Sequence, residues 1–211
     1  FNHQRYLSRE ELTRAGKYIS GKKSREFIIT RSALRNIIGY VLKKDPRQIG
    51  IAYTSSGMPL LDHNWSHTNI TFNVSHSHDL AIIAVSIRNI IGIDIEKVRQ
   101  DIEYEKLAKR FFSETEHKLI LEYEITSRLD AFFATWTRKE ALVKATGIGI
   151  AYGLSKFDVS VDPDQPAELL DSRWQSECQS KWSLLNIDTL PEYKSCLAVA
   201  GELPEVRYWR I

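Results

Sequence analysis

This 211-residue chain has few cysteines and no long apolar runs. Cys178 and Cys196 are its whole cysteine complement, too few for a disulfide framework; both read as inert thiols suited to a reducing compartment. No apolar stretch approaches the roughly 18 residues of a membrane span. No signal-peptide core opens the chain, so the expected address is the cytoplasm, with no membrane partner. Phe1 stands where a methionine would, which points to native sequence ahead of it. The basic residues lack the interleaved aromatics of a stacking surface, which argues against nucleic acid as the ligand.

At 43% hydrophobic the chain can bury a real core, as one large domain or two small ones. Net charge is only +2 but unevenly placed. Residues 1–50 hold 12 Lys and Arg against 4 Asp and Glu (+8), leaving 17 against 23 (−6) for residues 51–211. A basic front facing an acidic remainder suggests an anionic ligand held at the boundary.

Helical and strand periodicities give the chain an α/β pattern in two similar modules. Ser8-Arg9-Glu10-Glu11 reads as a capping box opening a helix over 8–20, with Leu7 and Leu12 as a staple. A second helix is expected over 24–42, ended by Asp45-Pro46. Residues 49–54 and 69–75 alternate as strands, with turn chemistry at Ser55-Ser56-Gly57-Met58-Pro59 between them. The run Leu80–Ile87 reads as a buried strand joined by a short loop to the strand before it. A further strand over 90–96 starts the second module. It is followed by a charged stretch, a helix capped by Ser113 with Glu116, and a long helix over 128–146 that stops at Gly147. Strands over 156–161, 181–188 and 195–200 complete it. The pattern divides as 1–88 and 89–211, and Thr30-Arg31-Ser32-Ala33-Leu34 echoes Thr137-Arg138-Lys139-Glu140-Ala141-Leu142. Seams between modules are preferred ligand sites.

Two charged clusters carry the chemistry: Gly92-Ile93-Asp94-Ile95-Glu96 and Trp136-Thr137-Arg138-Lys139-Glu140-Ala141-Leu142-Val143-Lys144. Asp94 and Glu96 leave the same face of a strand, while Ile93 and Ile95 take the other. Adjacent carboxylates repel unless a cation sits between them, and oxygen-only ligands favour magnesium, with manganese as a substitute. Glu140 and Lys144 lie one helical turn apart, which supplies a third carboxylate and a counter-charge for a phosphate. Ser75-His76-Ser77-His78 offers hydroxyls and imidazoles to a phosphate. A zinc site from His63, His67, His76 and His78 has no cysteine and no zinc-like spacing. Arg31 and Arg35, with Lys22, Lys23 and Arg25, form a basic edge; taken singly, each is an ordinary solvated residue.

Together these residues make a signature. R-x-x-L-R at Arg31 to Arg35, G-x-P at Gly57 to Pro59 and F-N-V-S-H-S at Phe72 to Ser77 come first. They are followed by G-I-D-I-E at Gly92 to Glu96, R-F-F-S-x-x-E at Arg110 to Glu116 and W-x-x-K-E-A-x-x-K at Trp136 to Lys144. In this order they resemble the Sfp-type 4'-phosphopantetheinyl transferases, which move the phosphopantetheine arm of coenzyme A onto a serine of a carrier protein. The resemblance spans nearly the whole chain. It implies the pseudodimeric class, a monomer whose two α/β modules supply one site. It implies that Asp94, Glu96 and Glu140 hold magnesium and that Lys144 and His76 contact the coenzyme A pyrophosphate. It also implies that Arg31, Ser75 and the turn Gly57-Met58-Pro59 line the nucleotide. Glu140, directly or through a water on the ion, is the candidate base for the carrier serine. The family's usual lysine in G-K-P is Met58 here, and Lys22, Lys23 or Arg25 would have to replace its charge. Two other readings stand beside this one: a magnesium-dependent nucleotide phosphodiesterase, and a non-catalytic module that binds a carrier domain.

Overall fold

Ser8 begins the first helix because its side chain satisfies an amide that the helix cannot. A computed structural model describes residues 2–55, 57–147, 153–172 and 182–210. In it Ser8 Oγ accepts from the Glu11 amide at 3.2 Å, and the Glu11 carboxylate takes the Ser8 amide at 2.8 Å, so helix α1 (Arg9–Gly16) starts in the expected capping box. Helix α2 (Gly21–Leu42) buries Leu34 and Ile38 and ends where Lys43 turns left-handed, two residues before Asp45 caps a 3-10 turn over Pro46–Gln48. Strands β1 (Ile51–Tyr53) and β2 (Pro59–Leu61) form an antiparallel hairpin. Its turn needs Gly57, at φ +82°, a backbone shape that side chains disfavour. The sequence gives no warning of β2, which is three residues long, or of the 3-10 turn His63–Thr68 after it.

Arg35 corrects its reading as part of a solvated edge. It is only 2% exposed; its Nε donates to Glu11 Oε2 at 2.8 Å, and its Nη1 donates to the carbonyls of Pro46 and Ile49. The guanidinium fastens α1, α2 and the segment after α2 together, so it is a structural residue.

Strands β3 (Ile70–Ser77) and β4 (Leu80–Ile87) form a second hairpin, turning at His78 and Asp79. β4 is half-buried along most of its length. Strand β5 (Ile91–Lys97) pairs antiparallel with β9 (Tyr193–Ala200), which pairs in turn with β8 (Trp182–Asn186). This sheet is covered on both faces. Ile91, Ile93, Leu197 and Val199 pack with Ile82 and Ala84 of β4, and Cys196 and Ala198 pack with Ala141, Leu142 and Ala145 of α5 (Ile125–Thr146). Asp94 and Glu96 therefore face a helix. Between β5 and α5 lie α3 (Tyr104–Phe111), in the stretch read only as charged, and α4 (Glu114–Glu122), which Ser113 and Glu116 cap as expected. Phe112 stacks on Phe132, and Trp136 packs tilted against both. α5 stops at Gly147 in the left-handed conformation. β6 (Phe157–Val159) pairs with β7 (Leu169–Ser172), a strand too short to show a period. Cys178 and Lys181 lie outside the described residues.

Contacts group the chain into Phe1–Ile70 and Thr71–Ile211. The β3–β4 hairpin thus goes with the second unit, whereas the division expected after residue 88 places it in the first. No helix among the described residues is long and apolar enough to cross a membrane.

Candidate active site

Gly92 sets how closely α5 approaches the sheet. A Cβ there would lie 2.1 Å from the Ala141 carbonyl oxygen and 2.4 Å from the Ala145 amide, both backbone atoms, so only glycine admits the helix at this distance. Glu140 and Lys144 each immediately precede one of these alanines, and the contact carries them toward the carboxylate face of β5.

The lysine goes to the aspartate. Lys144 Nζ donates to Asp94 Oδ1 at 2.7 Å, to Ser75 Oγ at 2.9 Å and to the Ile93 carbonyl at 3.2 Å. Ser75 Oγ donates to the same Asp94 oxygen at 2.8 Å, and Ser77 Oγ donates to Glu96 Oε2 at 2.8 Å. Among the sequence-expected residues the structure thus joins Asp94, Lys144 and Ser75 by direct hydrogen bonds, with Glu96 and Glu140 beside them. The i,i+4 neighbour Glu140 takes none of the described Lys144 hydrogen bonds.

Burial dominates the electrostatics. It raises the Asp94 carboxyl above its ordinary range even against the Lys144 ammonium and Ser75. Burial also raises Glu96 against the Ser77 hydroxyl, and the Asp94 charge adds to the rise. Glu140, 7% exposed, is pushed up to about 7, first by burial and then by Asp94, with Lys144 pulling the other way. Asp94 Oδ2 and Glu140 Oε1 are buried without a hydrogen-bond partner. Three carboxyls held near one another at a desolvation cost, two of them with an orphaned oxygen, suit a hard divalent ion in the kind of donor they offer. Among the described residues, however, no three His, Cys, Asp or Glu side chains are already gathered as ligands. Ser77 holds one Glu96 oxygen and Lys144 holds one of Asp94.

His76 points away from this group. Ser75 and Ser77 are buried on one face of β3 while His76 is exposed on the other. His63, His67 and His78 are exposed too and form no metal cluster. In the first unit Arg31, 7% exposed, is not the solvated residue that its basic neighbours suggest. Its Nη2 donates to the Tyr53 hydroxyl at 2.9 Å and its Nη1 is buried without a partner. Burial lowers its proton affinity, opposed by Tyr53 and Glu11. Arg14 lies over the same Tyr53 ring at 4.6 Å. Gly57, Met58 and Pro59 form the end of the β1–β2 turn, where the Met58 amide donates to Thr54 Oγ1 at 3.0 Å.

Lys139, next to Glu140, could be mistaken for a second site lysine. It is fully buried, with Nζ 2.8 Å from Glu116 Oε1, donating to the carbonyls of Leu154 and Phe157 and lying 4.2 Å from the Phe157 ring centre. The glutamate of R-F-F-S-x-x-E and the first lysine of W-x-x-K-E-A-x-x-K are thus partners in a buried ion pair that anchors α5 to α4. The sequence shows Glu116 as a cap but not its partner. Tyr53 is likewise missed, since nothing local marks it, and Ser77, read as one hydroxyl of a phosphate-binding loop, instead holds Glu96.

Comparison with known proteins bears on this arrangement. A model of the 4'-phosphopantetheinyl transferase superfamily matches residues 90–198, and one described as 4'-phosphopantetheinyl transferase, N-terminal, matches residues 2–88. The 4'-phosphopantetheinyl transferase HetI of a Nostoc species is 36% identical over 203 residues, covering 96% of this chain and 82% of the relative. The 4'-phosphopantetheinyl transferase Sfp of Bacillus subtilis is 33% identical over 217 residues, covering 95% and 91%. The mouse L-aminoadipate-semialdehyde dehydrogenase-phosphopantetheinyl transferase is 28% identical over 214 residues, covering 97% of this chain and 62% of its own. With both parts of the chain matched and nearly all of it aligned, the protein has the α/β fold of the 4'-phosphopantetheinyl transferase superfamily and belongs to that enzyme family.

Proposed function

We propose that the chain moves the 4'-phosphopantetheine group of coenzyme A to a serine of an apo carrier protein, releasing 3',5'-ADP, with Asp94, Glu96 and Glu140 holding magnesium. The observation that carries this reading is the buried carboxyl group cluster on β5 and α5, with its orphaned oxygens at Asp94 and Glu140 and an ammonium at its edge. A magnesium ion, when bound, supplies positive charge to the pyrophosphate oxygens.

The chain's own groups do the rest. The Lys144 side chain is 27% exposed, so its ammonium can turn from Asp94 to a phosphate oxygen, leaving the buried Asp94 carboxylate to the ion. Glu140, directly or through a neighbouring water, accepts the proton of the carrier serine as that oxygen bonds to phosphorus and the bond to 3',5'-ADP breaks. His76, exposed on the other face of β3, donates to a phosphate oxygen of coenzyme A, while Ser75 keeps its proton on Asp94 and lines the site. In the first unit, Arg31 with its unpartnered Nη1 and the Gly57-Met58-Pro59 turn bind the nucleotide end of coenzyme A.

The test is a panel of apo carriers from fatty acid, polyketide and nonribosomal peptide systems, incubated with coenzyme A and magnesium and weighed by mass spectrometry. At least one carrier should gain the phosphopantetheine mass, and chelation should stop the gain. Product release from coenzyme A without a carrier would instead identify a phosphodiesterase. Carrier binding with no magnesium-dependent heat on titration with coenzyme A would identify a binding module.

A further inference from the structure

β3 and β5 share no backbone ladder: β3 pairs with β4, and β5 gives its other edge to β9. Yet three alternate amides on β5 are taken by β3 side chains. Ile93 N donates to Asn73 Oδ1 at 3.0 Å, Ile95 N to Ser75 Oγ at 3.4 Å, and Lys97 N to Ser77 Oγ at 3.1 Å. Each partner lies 20 residues on, so the three bonds form a regular side-chain ladder along the sheet edge.

The ladder also fixes where the hydroxyl protons point. A serine has one proton to donate, and when its oxygen accepts an amide that proton is left for another acceptor. Ser75 gives its proton to Asp94 and Ser77 gives its proton to Glu96, each carboxylate lying one residue before the amide that the serine holds. The third rung fits the same logic, because the residue before Ile93 is Gly92, which has no side chain to orient, and Asn73 stands there instead of a hydroxyl.

From this geometry we infer that Ser77 is a positioning residue for the divalent ion: it locks one oxygen of Glu96 and aims the other. The inference rests on the magnesium reading above. Partners that orient metal-ligating carboxylates typically change metal affinity by about 10–100-fold when removed. A purely structural Ser77 would only satisfy the Lys97 amide, and its loss would lower stability and leave ion binding alone.

Binding of Mn2+ to the full chain with coenzyme A, followed by electron paramagnetic resonance, separates the two roles. Ser77→Ala should raise the Mn2+ dissociation constant by roughly tenfold or more, and Ser77→Thr, which keeps the hydroxyl, should stay within about twofold of wild type. Ser77→Cys keeps the volume with a weak donor and should follow alanine, which preserves the comparison if the alanine variant does not fold. Wild-type Mn2+ binding by the folded alanine or cysteine variant, or equal losses in alanine and threonine, would overturn the role of Ser77 while leaving the magnesium reading in place. Absence of Mn2+ binding by the wild-type chain would overturn both.

Discussion

With its carboxyl pushed up to about 7 by burial and by Asp94, against an ordinary 4.5, Glu140 keeps a proton in the folded chain over a pH range in which the unfolded chain has released it. In that window the folded state binds more protons, so stability falls as pH rises from about 4.5 to about 7. The gap corresponds to roughly 3 kcal/mol at most. Glu140→Gln cannot ionise and should escape this loss. In chelator, denaturant midpoints of wild type should drop between pH 5 and pH 8 more than those of the variant. Asp94 and Glu96 remain in both chains, so the difference between the curves reports Glu140, and parallel curves would refute the assignment. On the proposed reading the same variant, and Asp94→Asn, should abolish carrier modification while leaving circular dichroism unchanged, because they would remove the base or a ligand and not the packing. Retained turnover with carrier and magnesium would sink both roles.

At the scale of elements, α5 is held by one glycine and one ion pair. Gly92→Ala drives a methyl into the backbone of α5, where no side chain can yield, so the helix must lift off β5. Overpacking of this kind costs about 1–3 kcal/mol or more, and displacing Glu140 and Lys144 should also lower turnover well beyond what lost stability explains. Removing Lys139 leaves Glu116 charged, buried and without its ammonium, which costs about 3–5 kcal/mol. Chemical denaturation of Lys139→Met checks this, and full stability with lost activity would instead make Lys139 a site residue. These elements also show what was readable beforehand. Both capping boxes, the stop at Gly147 and the same-face pair Asp94 and Glu96 were legible because each depends on residues within a few positions of one another. β2 and β7 were not, since three or four residues carry no period. Helical spacing pairs Glu140 with Lys144, but the fold sends that lysine across to Asp94, 50 residues away, and lets Ser77 reach Glu96 from another strand. Proximity of this kind comes from the way strands and helices stack, which local pattern does not encode.

For the whole molecule the uneven charge is the feature left to explain, and it divides by burial. Lys22, Lys23 and Arg25 are exposed on α2, whereas Arg31 on the same helix is 7% exposed and lies among Glu11, Phe27 and Tyr53. Salt shortens the reach of exposed charges from roughly 10 Å at 0.1 M to about 3 Å at 1 M but screens buried ones far less. On the proposed reading, attraction of coenzyme A by the exposed trio should therefore fade with salt, and a contact from Arg31 should persist. Raising salt from 50 mM to 500 mM should increase the KM for coenzyme A several-fold in wild type. Replacing Lys22, Lys23 and Arg25 together by alanine should start from a higher KM and flatten that dependence, because the screened part is already gone. Arg31→Ala should raise KM at both salt concentrations and keep the slope, and Arg31→Lys should not rescue it, since a point charge cannot replace a fork that bonds Tyr53 and holds a second, buried and unpartnered nitrogen. Should the triple variant keep both the KM and the salt slope of wild type, the basic front of the chain has no part in binding coenzyme A, and Met58 stands in the turn with no charge to replace its family lysine.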